Sequence, residues 1–155
     1  MLKANFITAQ EAAEKIQDGS TLCTIGMTLV SASESILKAI EKRFETVGHP
    51  ADITLVHSCG QSDRKDGIQH LAHEGLVKRI IGSHWGLQPR WMEMIANSQV
   101  EAYCLPQGQI AQLYRSMACG LPGKMSKVGL GTFIDPRVEG GKMNDRTKPL
   151  PDIVD

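Results

Sequence analysis

The chain has 155 residues, about the length of one domain, and its 41% hydrophobic and 22% charged residues exclude a disordered polypeptide. Seventeen basic residues balance seventeen acidic ones, so the sequence has no electrostatic footprint for nucleic acid or for an anionic membrane. The first residues lack a signal-peptide core, and the most apolar stretch, residues 22–30, is too short to span a bilayer. These features predict a soluble cytoplasmic protein without nucleic-acid or membrane partners.

Two helix starts lie in the first third of the chain. Thr8 precedes Glu11 at the spacing of a capping box, and Gly19 follows as a stop signal. Ser31 and Glu34 repeat the capping-box spacing ahead of apolar residues at helical intervals. We therefore predict one helix that is capped by Thr8 and a second that is capped by Ser31.

Short apolar runs alternate with helical patterns along the chain. The predicted strands are residues 20–26, 52–56, 77–81, 100–105 and 127–134. The later predicted helices are residues 66–76, 89–97 and 109–119. Strands that alternate with helices of about ten residues favour a parallel sheet, and nearly continuous apolar strands are typical of burial on both faces.

The predicted fold is an open, mainly parallel α/β sheet with helices on both faces, formed by residues 1–134. Residues 135–155 are rich in proline, glycine and charge and have no periodicity. Such a stretch predicts an irregular tail, or a linker towards a second domain.

Glycines stand at or just beyond the carboxyl end of every predicted strand: Gly26, Gly60, Gly82 with Gly86, Gly108 and Gly131. In an open parallel sheet these ends share one edge, where ligands bind. Glycine permits close approach of the backbone, and the helices that follow present free N–H groups to anions. A single glycine in such a turn is ordinary, but the recurrence favours a ligand crevice. The sequence has no GxGxxG or Walker A motif, which disfavours nicotinamide and P-loop chemistry.

The tripeptide at residues 106–108 fixes a polar side chain at this edge. Pro106 ends a predicted strand and Gly108 opens the next helix region, so Gln107 lies between them. Its amide groups can donate hydrogen bonds, as an acyl-transfer reaction requires for its oxyanion. The alternative is a polar turn residue without a chemical role.

The histidines favour solvated or crevice positions over a metal site. His70, His73 and Glu74 fall within about one turn of a predicted helix, but the spacing is not HExxH and no further ligand is evident. We therefore predict no metal. His57 and His84 lie near strand ends and are candidates to line the crevice.

The four cysteines are scattered without CxxC spacing, which favours reduced thiols. Cys23 and Cys104 lie inside predicted strands and are expected to be buried and inert. Cys59, beside Gly60, is the thiol to test for reactivity. No GxSxG nucleophile elbow is present.

Four stretches carry a family resemblance: ADITLVHSCGQSD, HLAHEGLVKRIIGSHWGL, VEAYCLPQGQIAQLYR and VGLGTFIDPRVEGGKMN. In this order and spacing they resemble a family I coenzyme A transferase of the fused acetate/propionate type, over nearly all of residues 5–148. The resemblance implies a three-layer α/β/α domain of the CoA-transferase superfamily. It also implies transfer of CoA between short-chain acids through a glutamyl-CoA thioester.

The resemblance assigns roles to particular residues. Gln107 of the PQG motif would help form the oxyanion hole. The turn containing Gly26 and Met27 would border the acyl site, although the family usually has a second glycine and an aromatic residue there. The full predicted set for substrate and CoA is Gly26, Met27, Gly60, Gly108 and Gly131.

The nucleophilic glutamate of the family lies in its second half, outside this chain. Glu34, Glu101 and Glu139 match no nucleophile position. The expected partners are therefore an acyl-CoA, a short-chain carboxylate and a second CoA-transferase domain or subunit, in a homo-oligomer. Coenzyme A would be a substrate, and no cofactor is expected.

Three alternatives stay open at this point. The first is a catalytically silent domain that binds CoA or another anion. The second is a sugar-phosphate isomerase on the same sheet, for which Lys124 and Lys127 are the available phosphate clamps. The third is a structural half whose role is assembly.

Overall fold

The protein is described by a computed structural model that covers residues 4–154. Its helices are α1 (Ala9–Glu14), α2 (Glu34–Val47), α3 (Pro89–Ala96) and α4 (Gln107–Ala118), with a 3₁₀ helix at Gly67–Leu71. Its strands are β1 (Thr21–Thr24), β2 (Ile53–His57), β3 (Val77–Gly82) and β4 (Glu101–Cys104). No helix within this range is long and apolar enough to cross a membrane.

The four strands form one parallel sheet in the order β1-β2-β3-β4. One row of side chains runs across it, from Leu22 through Leu55 and Ile80 to Ala102. Because consecutive parallel strands joined by crossovers of one hand keep their connections on the same face, the segments between the strands all cover this row. The predicted α/β class with a parallel sheet is confirmed.

The main core lies between that face and α1, α2, α3 and the 3₁₀ helix. Ile40 of α2 and Trp91 of α3 are fully buried there, and the Trp91 indole Nε1 donates a hydrogen bond of 2.8 Å to the Ile68 carbonyl. Apolar burial thus fixes the helices, and the one polar atom of the indole is satisfied.

The opposite face is covered by α4, the only described helix that follows the last strand. Ile110 is buried against it, and the Tyr114 hydroxyl lies 3.1 Å from the Val56 carbonyl and 3.3 Å from the Thr24 carbonyl. At β1, the edge strand of the sheet, Cys23 is exposed although it was expected to be buried, so that expectation is wrong.

The fifth strand predicted at residues 127–134 does not form; the segment consists of turns. Gly129 and Gly131 have φ values of +96° and +75°, which an extended strand excludes. The outer edge of β4 is occupied instead by a later part of the chain. The Cys104 amide donates to the Gly141 carbonyl over 2.8 Å, and the Met143 amide donates to the Ala102 carbonyl over 3.0 Å.

The helix predictions succeed at some boundaries and fail at others. Thr8 and Glu11 form the predicted capping box, although α1 ends at Glu14, well before Gly19. The Ser31 capping box is wrong, because α2 begins after Ser33 and the Glu34 carboxylate accepts from the backbone of Gly67. The helix predicted at residues 66–76 is only the short 3₁₀ helix.

Residues 135–154 contain no regular helix or strand, yet part of this tail packs on the sheet edge. The Asn144 amide donates to the Ile95 and Val100 carbonyls over 3.0 and 2.8 Å, and Thr147 is fully buried. The division into a domain and a linker at residue 134 stays a prediction.

Candidate functional site

The turns after β1 and β2 meet at the carboxyl edge of the sheet. The Thr28 amide donates to the Gly60 carbonyl over 2.8 Å, and the Gln61 side-chain amide donates to the Thr24 carbonyl over 2.9 Å. Gln61 is fully buried, so its bond joins the end of β1 to the turn after β2 in a dry environment. The two turns are therefore held as one unit.

The turns after β3 and β4 continue this edge. The Ser83 hydroxyl donates to the Ser58 carbonyl over 2.8 Å, and the Leu105 amide donates to the Gly82 carbonyl over 2.9 Å. All four strand ends are thus connected by hydrogen bonds. This is the edge at which ligands of open parallel sheets bind.

Gly26 and Met27 form a tight turn at the end of β1. Gly26 has a φ of +141°, and a Cβ atom at this position would lie 2.9 Å from the Val30 carbonyl oxygen. Met27 and Val30 exchange backbone hydrogen bonds of 3.1 and 2.9 Å. Only glycine fits at position 26, and the turn presents the Met27 side chain, 60% exposed, at the edge.

Gly60 and Gly108 differ in what surrounds them. A Cβ at Gly60 would lie 2.7 Å from the ring of the exposed His84, so a larger residue there would have to displace this ring. Gly108 is exposed, and a Cβ there would meet nothing within 4 Å.

Gln107 is the first residue of α4, directly after Pro106 in an extended conformation. Its side chain is exposed at the end of β4. Gln107 therefore lies at the carboxyl edge, as the sequence predicted, and can meet a bound molecule there. The free N–H groups of the first turn of α4 point to the same region.

A cavity of about 650 Å³ lies between α4 and the turns of residues 122–136, and Gln107 does not belong to its lining. Pro106 and Gln109 belong to its wall, and the mostly apolar lining also carries one positive charge, Lys124, and one negative charge, Asp135. A cavity of this volume is of the size that holds a small-molecule ligand.

Gly131 does not lie at a strand end, because the strand that was expected to precede it is absent. Its amide donates to a carboxylate oxygen of Asp135 over 2.8 Å. The Arg137 guanidinium, hydrogen-bonded to the same carboxylate, holds the pKa of Asp135 well below its usual range. Gly131 thus belongs to a turn that the buried carboxylate of Asp135 and the exposed Arg137 stabilise.

His70 lies in a cluster of charged groups that the sequence did not predict. Its Nδ1 contacts the Glu41 carboxylate, and its Nε2 lies 2.8 Å from Glu34 and 3.3 Å from Asp66. Partial burial opposes protonation, but the hydrogen bonds to Glu41 and Glu34 outweigh it and raise the pKa of His70.

Two groups of the described residues have the spacing of a metal site, one in this cluster and the other formed by Glu41, Glu45 and His73. Ligand atoms of Glu34, Asp66 and His70 all lie within 4.8 Å of one another. The Lys38 ammonium lies 3.1 Å from Glu34 and 3.2 Å from Asp66, where it supplies the positive charge. Glu74, which the sequence grouped with the histidines, accepts a hydrogen bond from Gln99 instead.

His57 and Cys59 occupy the turn after β2. Both are buried, and the His57 Nδ1 lies 2.7 Å from the Cys59 carbonyl oxygen. Because a carbonyl oxygen only accepts, Nδ1 carries the proton. Burial lowers the pKa of His57 to about 4, so the ring is neutral at pH 7. Of the two histidines predicted near strand ends, His84 is exposed and His57 is not.

The fold and the edge define an α/β domain with an exposed amide side chain at a strand end. The model of the coenzyme A transferase family matches residues 6–153, and the chain therefore belongs to this family.

The chain spans less than a third of the length of the curated relatives that head its matches. It is 40% identical over 98% of its length to caffeate CoA-transferase of Acetobacterium woodii, and covers 29% of that protein. It is 38% identical over 92% of its length to acetate CoA-transferase YdiF of Escherichia coli K12, and covers 27% of that protein. The crystal structure of acyl-CoA transferase YdiF of E. coli O157:H7, a thioester complex with CoA, superposes with a TM-score of 0.87 at 36% identity, over 95% of this chain and 29% of the other.

Proposed function

We propose that this chain supplies the first part of an enzyme that transfers CoA between short-chain carboxylic acids. Family membership and the position of Gln107, exposed at the carboxyl edge of the sheet, support the proposal. The observation that carries it is the Gln107 amide, because a preorganised donor at the start of a helix stabilises negative charge on an acyl oxygen.

The proposed reaction uses a glutamate that the remainder of the enzyme contributes. Its carboxylate attacks the acyl carbonyl of the acyl-CoA, the C–S bond breaks, and CoA leaves as a thiolate. The thiolate then attacks the glutamyl carbonyl of the anhydride, which releases the first acid and forms the glutamyl-CoA thioester. The carboxylate of the second acid then attacks the glutamyl-CoA thioester and releases the CoA thiolate. The thiolate attacks the acyl carbonyl of the new anhydride, which forms the second acyl-CoA and regenerates the glutamate. Gln107 donates a hydrogen bond to the oxyanion that forms in each addition.

Three glutamates of the described residues are engaged by other side chains, which supports a nucleophile from outside these residues. Glu34 and Glu41 are engaged by His70, and Glu101 binds the Arg79 guanidinium over 2.7 Å. The chain also spans less than a third of the two relatives named above. The attacking carboxylate therefore comes from a second domain or subunit.

The first experiment measures CoA transfer from acetyl-CoA to propionate. The protein expressed from the whole reading frame that contains these residues is compared with residues 1–155 alone. We expect propionyl-CoA from the former and none from the latter. Turnover by residues 1–155 alone would contradict the proposal. Caffeate, the acid in the name of one relative, is included as a competing acceptor.

The second experiment replaces the proposed donor. Gln107→Ala should lower kcat by about 10²–10³-fold, as expected for loss of one oxyanion-hole donor. Gln112→Ala, on the same helix and equally exposed, is the matched control and should leave kcat unchanged. Equal rates in the two variants would reduce Gln107 to a turn residue.

A domain that binds CoA without transferring it is the second candidate. The cavity beside α4, with Lys124 in its wall, favours it. Calorimetric titration of CoA into the protein from the whole reading frame tests this candidate. Micromolar affinity without transfer would support it over the first.

A further inference from the structure

We propose that His57 is a positioning residue for the edge at which the proposed CoA transfer takes place. Its Nδ1–H fixes the Ser58–Gly60 turn, and the Gly60 carbonyl in turn fixes the Gly26–Val30 turn that presents Met27. The inference rests on the proposed function only in taking the Met27 turn as part of the reaction site.

The first contact is the hydrogen bond that the buried His57 ring donates to the Cys59 carbonyl. His57 is the last residue of β2, and its side chain is fully buried. The 2.7 Å hydrogen bond to the Cys59 carbonyl spans two residues and closes the chain at the point where the strand ends. A neutral ring donor in a dry site makes a strong, fixed bond because no water competes for the carbonyl.

The ring is held in this orientation from two sides. Gly82 of β3 packs directly against it, and any Cβ at that position would collide with the ring nitrogen and carbon atoms. The Trp85 ring meets it edge to face, with centroids 6.0 Å apart and an interplanar angle of 76°. The His57 Nε2 has no hydrogen-bond partner within the described residues, so the ring is oriented by Nδ1 and by packing.

The second contact joins the Ser58–Gly60 turn to the Gly26–Val30 turn. The Thr28 amide donates to the Gly60 carbonyl over 2.8 Å. Thr28 has a φ of +53°, a left-handed conformation that strongly disfavours a β-branched residue. Such a conformation persists only where the surroundings hold it, and the Gly60 carbonyl is the contact that ties this turn to β2.

Two substitutions separate the donor from the ring. His57→Asn places an amide nitrogen where Nδ1 stands and keeps the donor, whereas His57→Phe keeps a ring and removes it. In the 155-residue chain, hydrogen exchange of the Thr28 amide should accelerate about tenfold or more in His57→Phe and remain close to the unaltered rate in His57→Asn. The Ile80 amide in the sheet serves as the internal control.

The result that overturns the proposal is equal Thr28 exchange in both variants. If exchange at Ile80 shows that His57→Phe has lost the fold, the ¹⁵N chemical shifts of the His57 ring in the unaltered protein are measured instead. An Nδ1–H tautomer supports the proposal, and an Nε2–H tautomer overturns it. In the complete enzyme, His57→Asn should restore the kcat/KM that His57→Phe lowers. Absence of transfer in the unaltered enzyme would refute the proposed function and leave the exchange result standing, so the two failures are distinguishable.

Discussion

Two histidines of this chain show how surroundings set the charge of one residue type. His57 is fully buried against Gly82 and Trp85, and burial lowers its pKa to about 4. His70 is partly buried, and the carboxylates of Glu41 and Glu34 raise its pKa despite that burial. His57 is therefore neutral at pH 7, whereas His70 is stabilised in its charged form.

The burial of His57 predicts an acid-dependent loss of stability. In the unfolded chain a histidine binds its proton near pH 6.5, but folded His57 does so only near pH 4. The unfolded state binds more protons between these values, so the free energy of unfolding falls as the pH drops from 6.5 to 4, by about 3 kcal/mol in total. Above pH 6.5 this contribution is fully present.

Urea unfolding of the unaltered chain and of His57→Asn at pH 7 and pH 4.5 measures this loss. On acidification, the free energy of unfolding of the unaltered chain should fall by about 2–3 kcal/mol more than that of His57→Asn. Substitution of the exposed, non-titratable Gln112 by Ala is the control and should give parallel behaviour. Parallel curves for His57→Asn as well would refute the burial argument.

The opposite sign is predicted for His70. Its raised pKa means that the folded state holds the proton more tightly, so its stabilising contribution is present below pH 6.5 and is lost as the pH rises through the folded pKa. An NMR titration of the His70 ring should give a midpoint above 6.5, and Glu41→Gln should lower that midpoint. Glu14→Gln on α1 is a distant control. A midpoint at or below 6.5 in the unaltered chain would contradict the ion-pair geometry.

At the scale of the elements, the turn after β1 depends on one glycine. Gly26 has a φ of +141°, and an added Cβ would lie 2.9 Å from a backbone oxygen, which cannot move without opening the turn. Gly26→Ala should therefore cost about 1–3 kcal/mol in the free energy of unfolding. Gly108→Ala, where a Cβ meets nothing, should cost less than about 0.5 kcal/mol. Equal losses in urea unfolding would show that the turn is not strained.

Sequence periodicity predicted the elements that depend on local patterns. The strands expected at residues 52–56 and 77–81 appear as Ile53–His57 and Val77–Gly82, because apolar runs bounded by glycine specify buried parallel strands. The Gln107 position followed in the same way from a strand, a proline and a helix start. Those features require no knowledge of contacts distant in sequence.

The failures all involve contacts between distant segments. The segment at residues 127–134 has strand-like residues, but the β4 edge that it would join is taken by residues 141–143. Glu34 was expected to cap its own helix, yet Gly67, far along the chain, donates to it. The roles of His57 and Thr28 depend on a turn-to-turn bond that no spacing in the sequence reveals.

At the scale of the whole molecule, the sequential strand order leaves the sheet covered unequally. Three crossovers on one face bury the Leu55–Ile80 row, whereas α4 alone covers the other face within the described residues. Large apolar side chains are exposed beyond α4, among them Leu121, Met125 and Val128, which are 55%, 96% and 56% exposed. Exposed apolar surface of this kind marks a region that associates with other protein surface.

The isolated chain is therefore expected to self-associate through residues 121–128. Sedimentation equilibrium of residues 1–155 should show a mass that rises with concentration, because burying apolar area between copies is favourable. Replacing Leu121 and Met125 together by Lys should shift the association to higher concentration, since each lysine must be desolvated to re-form the contact. Met92→Lys on α3, also about half exposed, is the matched control and should leave the association unchanged. A monomer at every concentration, or equal weakening by the control, would place the associating surface elsewhere on the molecule.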